Sequence, residues 1–140
     1  MAKFFANNAM VLVNSVDRSA QAYSIDIQSS RAEIDVSSFG DTAMEIILGL
    51  ADVTITVGFW VDYTVGQLDS QLQALHVGSS TFPLELRPTN AARSTSNPAY
   101  VLAGAWLPEY HPLNFDMGSA ASSDVTFRNG AQTGLQRLTA

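Results

Sequence analysis

The chain has no cysteine and only one lysine among its 140 residues. Without cysteine there are no disulfides, no thiolate metal sites and no thiol nucleophile. The longest apolar run, Ile46–Leu50, is far shorter than the roughly 20 residues that cross a bilayer. The N-terminal residues lack the long apolar segment of a secretory signal. These absences predict a protein that is made in the cytoplasm and does not insert into a membrane.

Basic residues are few and scattered. Thirteen Asp and Glu residues stand against seven Lys and Arg residues, which gives a net charge of −6. Tight binding to nucleic acid depends on clustered Lys and Arg, so the sequence argues against that function. Charged residues make up 14% of the chain, where about 25% is usual. Either partners cover much of the surface, or the surface consists of the plentiful Ser, Thr, Asn and Gln. We favour the first interpretation.

Alternation of apolar and polar residues predicts a mainly β fold. The clearest strand is Asp52–Asp62, whose odd-numbered residues are all apolar or aromatic and whose even-numbered residues include Asp52, Thr54 and Thr56. Further strands are expected within 10–16, 23–28, 82–86, 100–110 and 123–128. Pro83 indicates a strand start or a sheet edge. The last residues, about 129–140, show no periodicity and predict a C-terminal arm.

One helix interrupts the strands. Its evidence is an apolar stripe at helical spacing, formed by Val65, Leu68, Leu72 and Leu75. Thr64 and Gln67 have the spacing of a capping box, and Gly78 is a typical C-terminal stop. The predicted fold is therefore a single domain, residues 1–140, built as an antiparallel β-sandwich or half-barrel with one packed helix.

Residues 29–50 have an ambiguous pattern, in which Arg31–Val36 could be a strand and Thr42–Leu48 a helical turn or an extended arm. Their length predicts an extended loop, and loops of this length inside compact domains are often functional. The segment is too apolar for a solvated loop, so we expect it to leave the domain and pack on a neighbouring molecule. The residues that predict this inter-subunit contact are Phe39, Met44, Ile46, Leu48 and Leu50.

The sequence offers no catalytic constellation. His76 and His111 have neither a serine elbow nor a metal-spaced partner, the acids lack the ligand spacing of a calcium loop, and the glycines are scattered. We therefore expect no enzymatic activity, no metal and no cofactor. Trp60 and Trp106 are best explained as core or interface residues, with sugar stacking as the alternative.

Several segments resemble phage tail tube proteins, the major tail proteins of long-tailed phages. In Arg31–Tyr63 an acidic strand leads to the turn Ser38-Phe39-Gly40-Asp41. The step Gly49-Leu50-Ala51-Asp52 then begins the long alternating strand. The resemblance continues through the helix, through Tyr100–Tyr110 with its Tyr-x-x-x-Gly-x-Trp-x-x-x-Tyr pattern, and through Ser122–Gly130. It spans about 100 residues and depends on the order of these parts.

This resemblance implies hexameric rings that stack into a hollow tube, with the 29–50 loop and the termini joining successive rings. Each protomer would contribute strands to a continuous inner barrel through which genomic DNA passes. If six copies give about four strands each, ~24 strands enclose a channel roughly 35–40 Å wide. The implied location is the virion tail, and the implied partners are further copies, a terminator, a baseplate or tip, and double-stranded DNA in transit.

An acidic channel wall repels phosphates within about 8 Å, so DNA slides without sticking. The residues predicted to face the channel are Ser24, Asp26, Asp52, Thr54, Thr56 and Asp62. Other virion proteins remain open as alternatives: a tail terminator, a head–tail connector or a capsid decoration protein. A carbohydrate-binding β-sandwich is a further alternative from a different class.

Overall fold

The computed structural model describes residues 3–5 and 7–140; residues 1, 2 and 6 of the predicted domain lie outside it. The described part of the chain forms one antiparallel sheet and one short helix, which confirms the mainly β prediction. The strands are β1 (Met10–Val13), β2 (Val16–Asp17), β3 (Ala22–Asp35), β4 (Ile46–Trp60), β5 (Phe82–Arg87), β6 (Ala99–Glu109), β7 (Ser122–Asn129) and β8 (Leu135–Leu138), and the helix is α1 (Leu68–Val77).

The sheet runs in the order β2-β1-β5-β6-β7-β4-β3, with β8 paired to β6. Three strands separate β1 from β4, yet Val11 and Val13 of β1 share one core with the buried side chains of β4. The sheet must therefore curl around that core. A curled sheet of this kind is a half-barrel, one of the two forms that the sequence predicts. Phe127 is fully buried and meets Phe82 edge-on, with ring centroids 5.9 Å apart.

Strand β4 has the alternation that its sequence predicts. Val53, Ile55, Val57 and Phe59 are buried, and β3 and β7 pair with the strand on its two sides. β-branched and aromatic side chains favour such a half-buried pleated surface. The apolar side of β4 thus forms the centre of the core, and the other side of the sheet is left to polar residues.

The helix begins later than predicted. Val65 is 94% exposed and precedes the helix, and the N-cap residue Gln67 makes no side-chain capping bond. The predicted capping box is therefore wrong. Gly66 has a φ of +80°, which places a turn where the capping box was expected. At the other end Gly78 donates to the carbonyl of Ala74 over 3.0 Å, as predicted.

Helix α1 packs against the sheet through a few specific contacts. Leu68 and Leu72 are fully buried. Arg18 is 7% exposed and donates from Nε to Oε1 of Gln71 over 2.6 Å. Nδ1 of His76 lies 2.9 Å from the carbonyl oxygen of Leu107, and the Tyr110 hydroxyl donates to Asp69 over 2.7 Å. Because these polar groups satisfy each other, they hold the helix in place over β6 and β1.

The sequence interpretation is wrong in three local features. Residues 29–50, predicted as one extended loop, contain the paired ends of β3 and β4, so the strand alternative for Arg31–Val36 is the correct one as far as Asp35. Part of the expected C-terminal arm is β8, which pairs with Ala99–Leu102 of β6. The single strand expected within 10–16 is a tight hairpin, with positive φ at Asn14 and Ser15. Pro83 lies at the start of β5, at a register shift, and not at a sheet edge.

Candidate assembly surfaces

Polar residues share one face of four adjacent strands, which lie in the sheet in the order β6, β7, β4 and β3. Residues directly opposite each other in an antiparallel ladder point to the same side of the sheet. Ser24 pairs with Gly58, Asp26 with Thr56, and Thr54 with Arg128. By this register the polar face consists of Ser24, Asp26, Gln28, Ser30, Asp52, Thr54, Thr56, Gly58, Trp60, Ser122, Asp124, Thr126, Arg128, Trp106 and Glu109.

Five of the six residues predicted to line a channel lie on this polar face: Ser24, Asp26, Asp52, Thr54 and Thr56. Asp62 does not, because β4 ends at Trp60 and the chain turns toward α1. Oδ1 of Asp62 accepts the Thr64 amide over 2.9 Å, and this hydrogen bond holds the pKa of Asp62 below its ordinary value. The even-residue pattern of Asp52–Asp62 could not show where the strand ends.

The polar face is acidic. It carries the carboxylates of Asp26, Asp52, Asp124 and Glu109 against one guanidinium, that of Arg128. That guanidinium is itself neutralised, since Nη2 of Arg128 lies 2.6 Å from Oδ1 of Asp52. An anion approaching this face therefore meets carboxylates and one cation that already has a partner.

An aromatic pair lies at the end of the polar face near Trp60. The rings of Tyr23 and Trp60 are 4.7 Å apart between centroids, and the Tyr23 hydroxyl donates to Asp124 over 3.4 Å. A Cβ at Gly58 would lie 2.8 Å from the Tyr23 ring. The absence of a side chain at Gly58 therefore leaves room for this ring to lie across β4. Trp106 lies two strands away, on β6. The two tryptophans therefore do not form one sugar-stacking platform.

The two longest strands project beyond the rest of the sheet as a hairpin. The last pair between β7 and β4 is Arg128 with Thr54, whereas β3 and β4 remain paired as far as Asp35 with Ile46. We call residues 30–52 the arm. All of its predicted contact residues are exposed to solvent: Phe39, Met44, Ile46, Leu48 and Leu50. A two-stranded ribbon is marginally stable by itself, and β7 does not support this one beyond Thr54.

Short-range hydrogen bonds give the arm a defined tip. Oδ1 of Asp35 accepts the Ser37 amide over 2.9 Å, and Oδ2 of Asp41 accepts the Ser38 amide over 2.6 Å. The Ser37 amide holds the pKa of Asp35 below its ordinary value. Arg31 donates from Nε to the carbonyl of Gly49 over 2.8 Å, at the irregularity between Arg31 and Glu33. These polar groups thus bond within the arm, and Phe39, Met44 and Leu50 remain exposed.

Strand β3 is a long sheet edge. It has 14 residues and, within the described chain, pairs with β4 alone. Sheet edges are usually protected by charged residues, proline, bulges or short length. Strand β3 is long and has no lysine or proline, and its irregularities lie on either side of Ser24–Arg31, which remains a regular unpaired edge. A cavity of about 660 Å³ opens beside it, lined by Ile25 and Ile27 of β3 and by Val11, Leu86 and Tyr100 from across the half-barrel. Backbone groups and apolar side chains are thus both available along this edge.

The histidines have structural surroundings. His76 bonds to the main chain of β6, and Nε2 of His111 lies 2.8 Å from a carboxylate oxygen of Glu109 at the surface. Within residues 3–5 and 7–140 no group of three or more His, Asp or Glu side chains is placed to hold a metal ion. The described part of the chain also contains no helix with the length and apolarity of a membrane span.

Solved structures share this fold. A chain from the anti-feeding prophage cap (the tube-terminating cap) has a TM-score of 0.75 and 14% identity, over 100% of this chain and 93% of that one. A chain from the sheath/tube terminator of an extracellular contractile injection system (PVC) has 0.73 and 13%, over 98% and 97%. A chain from the virion of a native gene transfer agent particle has 0.71 and 9%, over 93% and 95%.

Neither a protein-family model nor a curated protein matches the sequence. At identities of 14% and below, the structural likeness shows a common fold. It covers nearly the full length of each pair of chains, so the arm and the C-terminal strand are included as well as the core. The fold of this chain is therefore one that occurs in tail and injection-system assemblies.

Proposed function

We propose that this chain is a structural tail protein that assembles into rings, and that the rings stack into a tube. The observation that carries the proposal is that one molecule has two surfaces without a covering partner, the open edge of β3 and the unsupported arm. Each needs another surface, and further copies of the same chain supply one. The fold shared with tail and injection-system chains supports the same conclusion.

Lateral assembly uses the edge of β3. A strand of the neighbouring copy adds to that edge, which satisfies the free backbone groups and removes the aggregation hazard of an open edge. The cavity beside β3 lets the joint bury apolar side chains as well. Four strands carry the polar face. Six copies in a ring would give ~24 strands, a barrel with room for a DNA duplex.

The polar face lines the channel of this ring. Five residues predicted to do so share it, and its acids outnumber its single neutralised base. Such a wall repels the phosphates of DNA within about 8 Å. The cargo is therefore a polyanion that passes without binding. The assembled protein belongs to the virion, is made in the host cytoplasm, and meets a terminator at one end of the tube and a baseplate or tip at the other.

A tail terminator or cap is the second candidate function, because two of the similar folds come from structures of a tube terminator and a tube-terminating cap. A terminator closes a tube and needs only one stacking surface. This chain has exposed apolar residues at both ends of β4, in the arm and in the loop that contains Leu113, Phe115 and Met117. Two such ends favour a repeating tube protein.

Electron microscopy of the purified full chain tests the proposal. We expect hollow tubes built of stacked rings; isolated rings would favour the terminator, and a monomer at high concentration would contradict both. Ile25→Lys places a charge in the cavity beside the β3 edge and should leave monomers, because a charged side chain at an edge opposes strand addition. Ile25→Val is the matched control and should still form tubes.

A further inference from the structure

The arm needs a receiving surface, and the structure contains a suitable one. We infer that the arm of each copy docks on residues 111–121 of a copy in the next ring. We call residues 111–121 the apolar loop. This inference rests on the proposed function and adds to it the identity of the receiving surface, which is formed by the connection between β6 and β7.

The apolar loop exposes large side chains on a fixed backbone. Leu113, Phe115 and Met117 are each at least half exposed. The Tyr63 hydroxyl donates to the carbonyl of Pro112 over 2.5 Å. Near the other end, the amide of Val61 donates to the carbonyl of Ala121 over 2.9 Å. Both ends of the loop are thus bonded to the segment that follows β4, and between them Leu113, Phe115 and Met117 remain exposed.

The arm and the apolar loop lie at opposite ends of the molecule. Ile46, the first residue of β4, lies within the arm, and Trp60, its last residue, pairs with Ser122 directly after the loop. At roughly 3.4 Å per residue, the two ends of β4 are about 45 Å apart. A copy displaced along β4 by one molecular length therefore brings its arm to the apolar loop of the copy before it.

The two surfaces match in chemistry. Phe39, Met44 and Leu50 of the arm are exposed apolar side chains like those of the loop. The acids Asp35 and Asp41 already accept amides within the arm. In the loop, His111 is paired with Glu109. Among the other carboxylates of the two surfaces, those of Glu33, Glu45 and Asp116 are exposed. They must stay at the rim of the contact, because burying a charge without a partner is the main cost that such a joint must avoid.

The contact is head-to-tail, so it does not close on itself. A heterologous contact repeated by translation produces an open filament, which is what a tube of stacked rings requires. Six arms acting together make a joint strong even if each is weak, because the first contact raises the effective concentration of the others. Rings therefore stack only after lateral assembly has brought the arms together.

Two triple variants test this inference. The loop variant is Leu113→Ser with Phe115→Ser and Met117→Ser, and the arm variant is Phe39→Ser with Met44→Ser and Leu50→Ser. All six side chains are at least half exposed, so the monomers should fold normally, which circular dichroism checks. Each variant alone should give single rings in electron microscopy. The control Val65→Ser with Val77→Ser removes two other exposed apolar side chains and should give tubes of wild-type length.

Mixing separately assembled rings of the two variants gives the decisive result. The arm of the loop variant is intact, and so is the loop of the arm variant, so one joint can form between them. No further joint can follow, and we expect stacks of two rings. Full-length tubes from the loop variant would overturn the inference, as would a mixture that remains single rings. Failure of the wild-type chain to form rings would instead overturn the proposed function.

Phe115→Ala alone should shorten the tubes without abolishing them.

Discussion

Strand β4 passes through two environments. From Thr54 to Phe59 it lies between β3 and β7, and alternate side chains fill the core. From Ile46 to Val53 its only neighbouring strand in the described part of the chain is β3, and Leu50 is 93% exposed. The same type of side chain is thus buried by its own chain in one half and left in water in the other. The body buries its apolar side chains within one molecule, whereas the arm leaves its own exposed.

This difference separates what stabilises the fold from what drives assembly. Apolar residues in the body contribute to the free energy of unfolding of the monomer, because unfolding exposes them. Apolar residues in the arm contribute little to it, since they are exposed in both states. They contribute only when another surface covers them.

The largest expected effect is that of Phe59→Ala in the body. Phe59 is fully buried, and such a truncation destabilises a core by about 3–5 kcal/mol. The matched variant Phe39→Ala in the arm should change the free energy of unfolding by less than about 0.5 kcal/mol. Urea unfolding of both variants under conditions that keep the protein monomeric makes the comparison. Equal losses would show that the arm packs on its own body.

The body could largely be predicted from sequence, because its pattern has a local cause. In β4 the alternation of Val53, Ile55, Val57 and Phe59 with small or polar residues reports burial on one side only. The same pattern placed Asp26 and Thr56 on one face before the register was known. The pattern also wrongly predicted that Asp62 lies on this face, because the end of the strand depends on hydrogen bonds to neighbouring segments.

The arm could not be predicted as a hairpin, since neither of its faces is buried in the chain itself. Ile46, Ile47 and Leu48 are consecutive apolar residues, and their order does not reveal pairing with β3. Its contact with a neighbouring molecule was inferred from composition alone, because a solvated loop would not carry such residues, and that contact stays a prediction. The Tyr23–Trp60 contact was missed for a different reason: it joins residues distant in sequence through a bulge in β3.

Asp52 stands at the boundary between arm and body and tests the channel face. Asp52→Asn leaves the guanidinium of Arg128 without its partner, so a ring of copies would expose a ring of cations. We expect assembled rings of this variant to bind a labelled DNA duplex at least about tenfold more tightly than wild type at low salt, with an affinity that falls as salt rises. Fluorescence anisotropy measures it.

The matched control for Asp52→Asn is Asp26→Asn, which removes one carboxylate from the same face without releasing Arg128. It should bind DNA far less than Asp52→Asn. Adding Arg128→Gln to Asp52→Asn should abolish the gain. Equal binding by the two single variants would show that net charge matters and that the pairing of Arg128 does not.

Arg31 should affect the arm without affecting the body. Its guanidinium donates to the carbonyls of Gly49 and Leu48, over 2.8 and 3.2 Å. Arg31→Ala removes exposed hydrogen bonds, each with a net contribution of about 0.5–1.5 kcal/mol. Hydrogen exchange of the monomer should be faster at arm amides such as Glu33 and unchanged at body amides such as Ile55. A uniform increase would mean that arm and body open together.

The smallest expected effect is an acid loosening of the arm tip. The hydrogen bond from the Ser37 amide lowers the folded-state pKa of Asp35 from its ordinary 3.8. A carboxyl group whose pKa is lowered by folding stabilises the folded state at pH values above its unfolded-state pKa. This stabilisation is lost as the pH falls through the folded-state pKa. The tip should therefore loosen below pH 3.8, seen as a lower protection factor of the Ser37 amide relative to its intrinsic exchange rate at each pH. Asp35→Asn should remove this pH dependence, because an amide oxygen accepts the same bond without titrating.

Asp62 is the comparison in the body, since its pKa is lowered by the same kind of bond to Thr64. If the Thr64 amide loosens at the same pH and to the same extent, the arm is no more easily opened than the segment that leads into the helix.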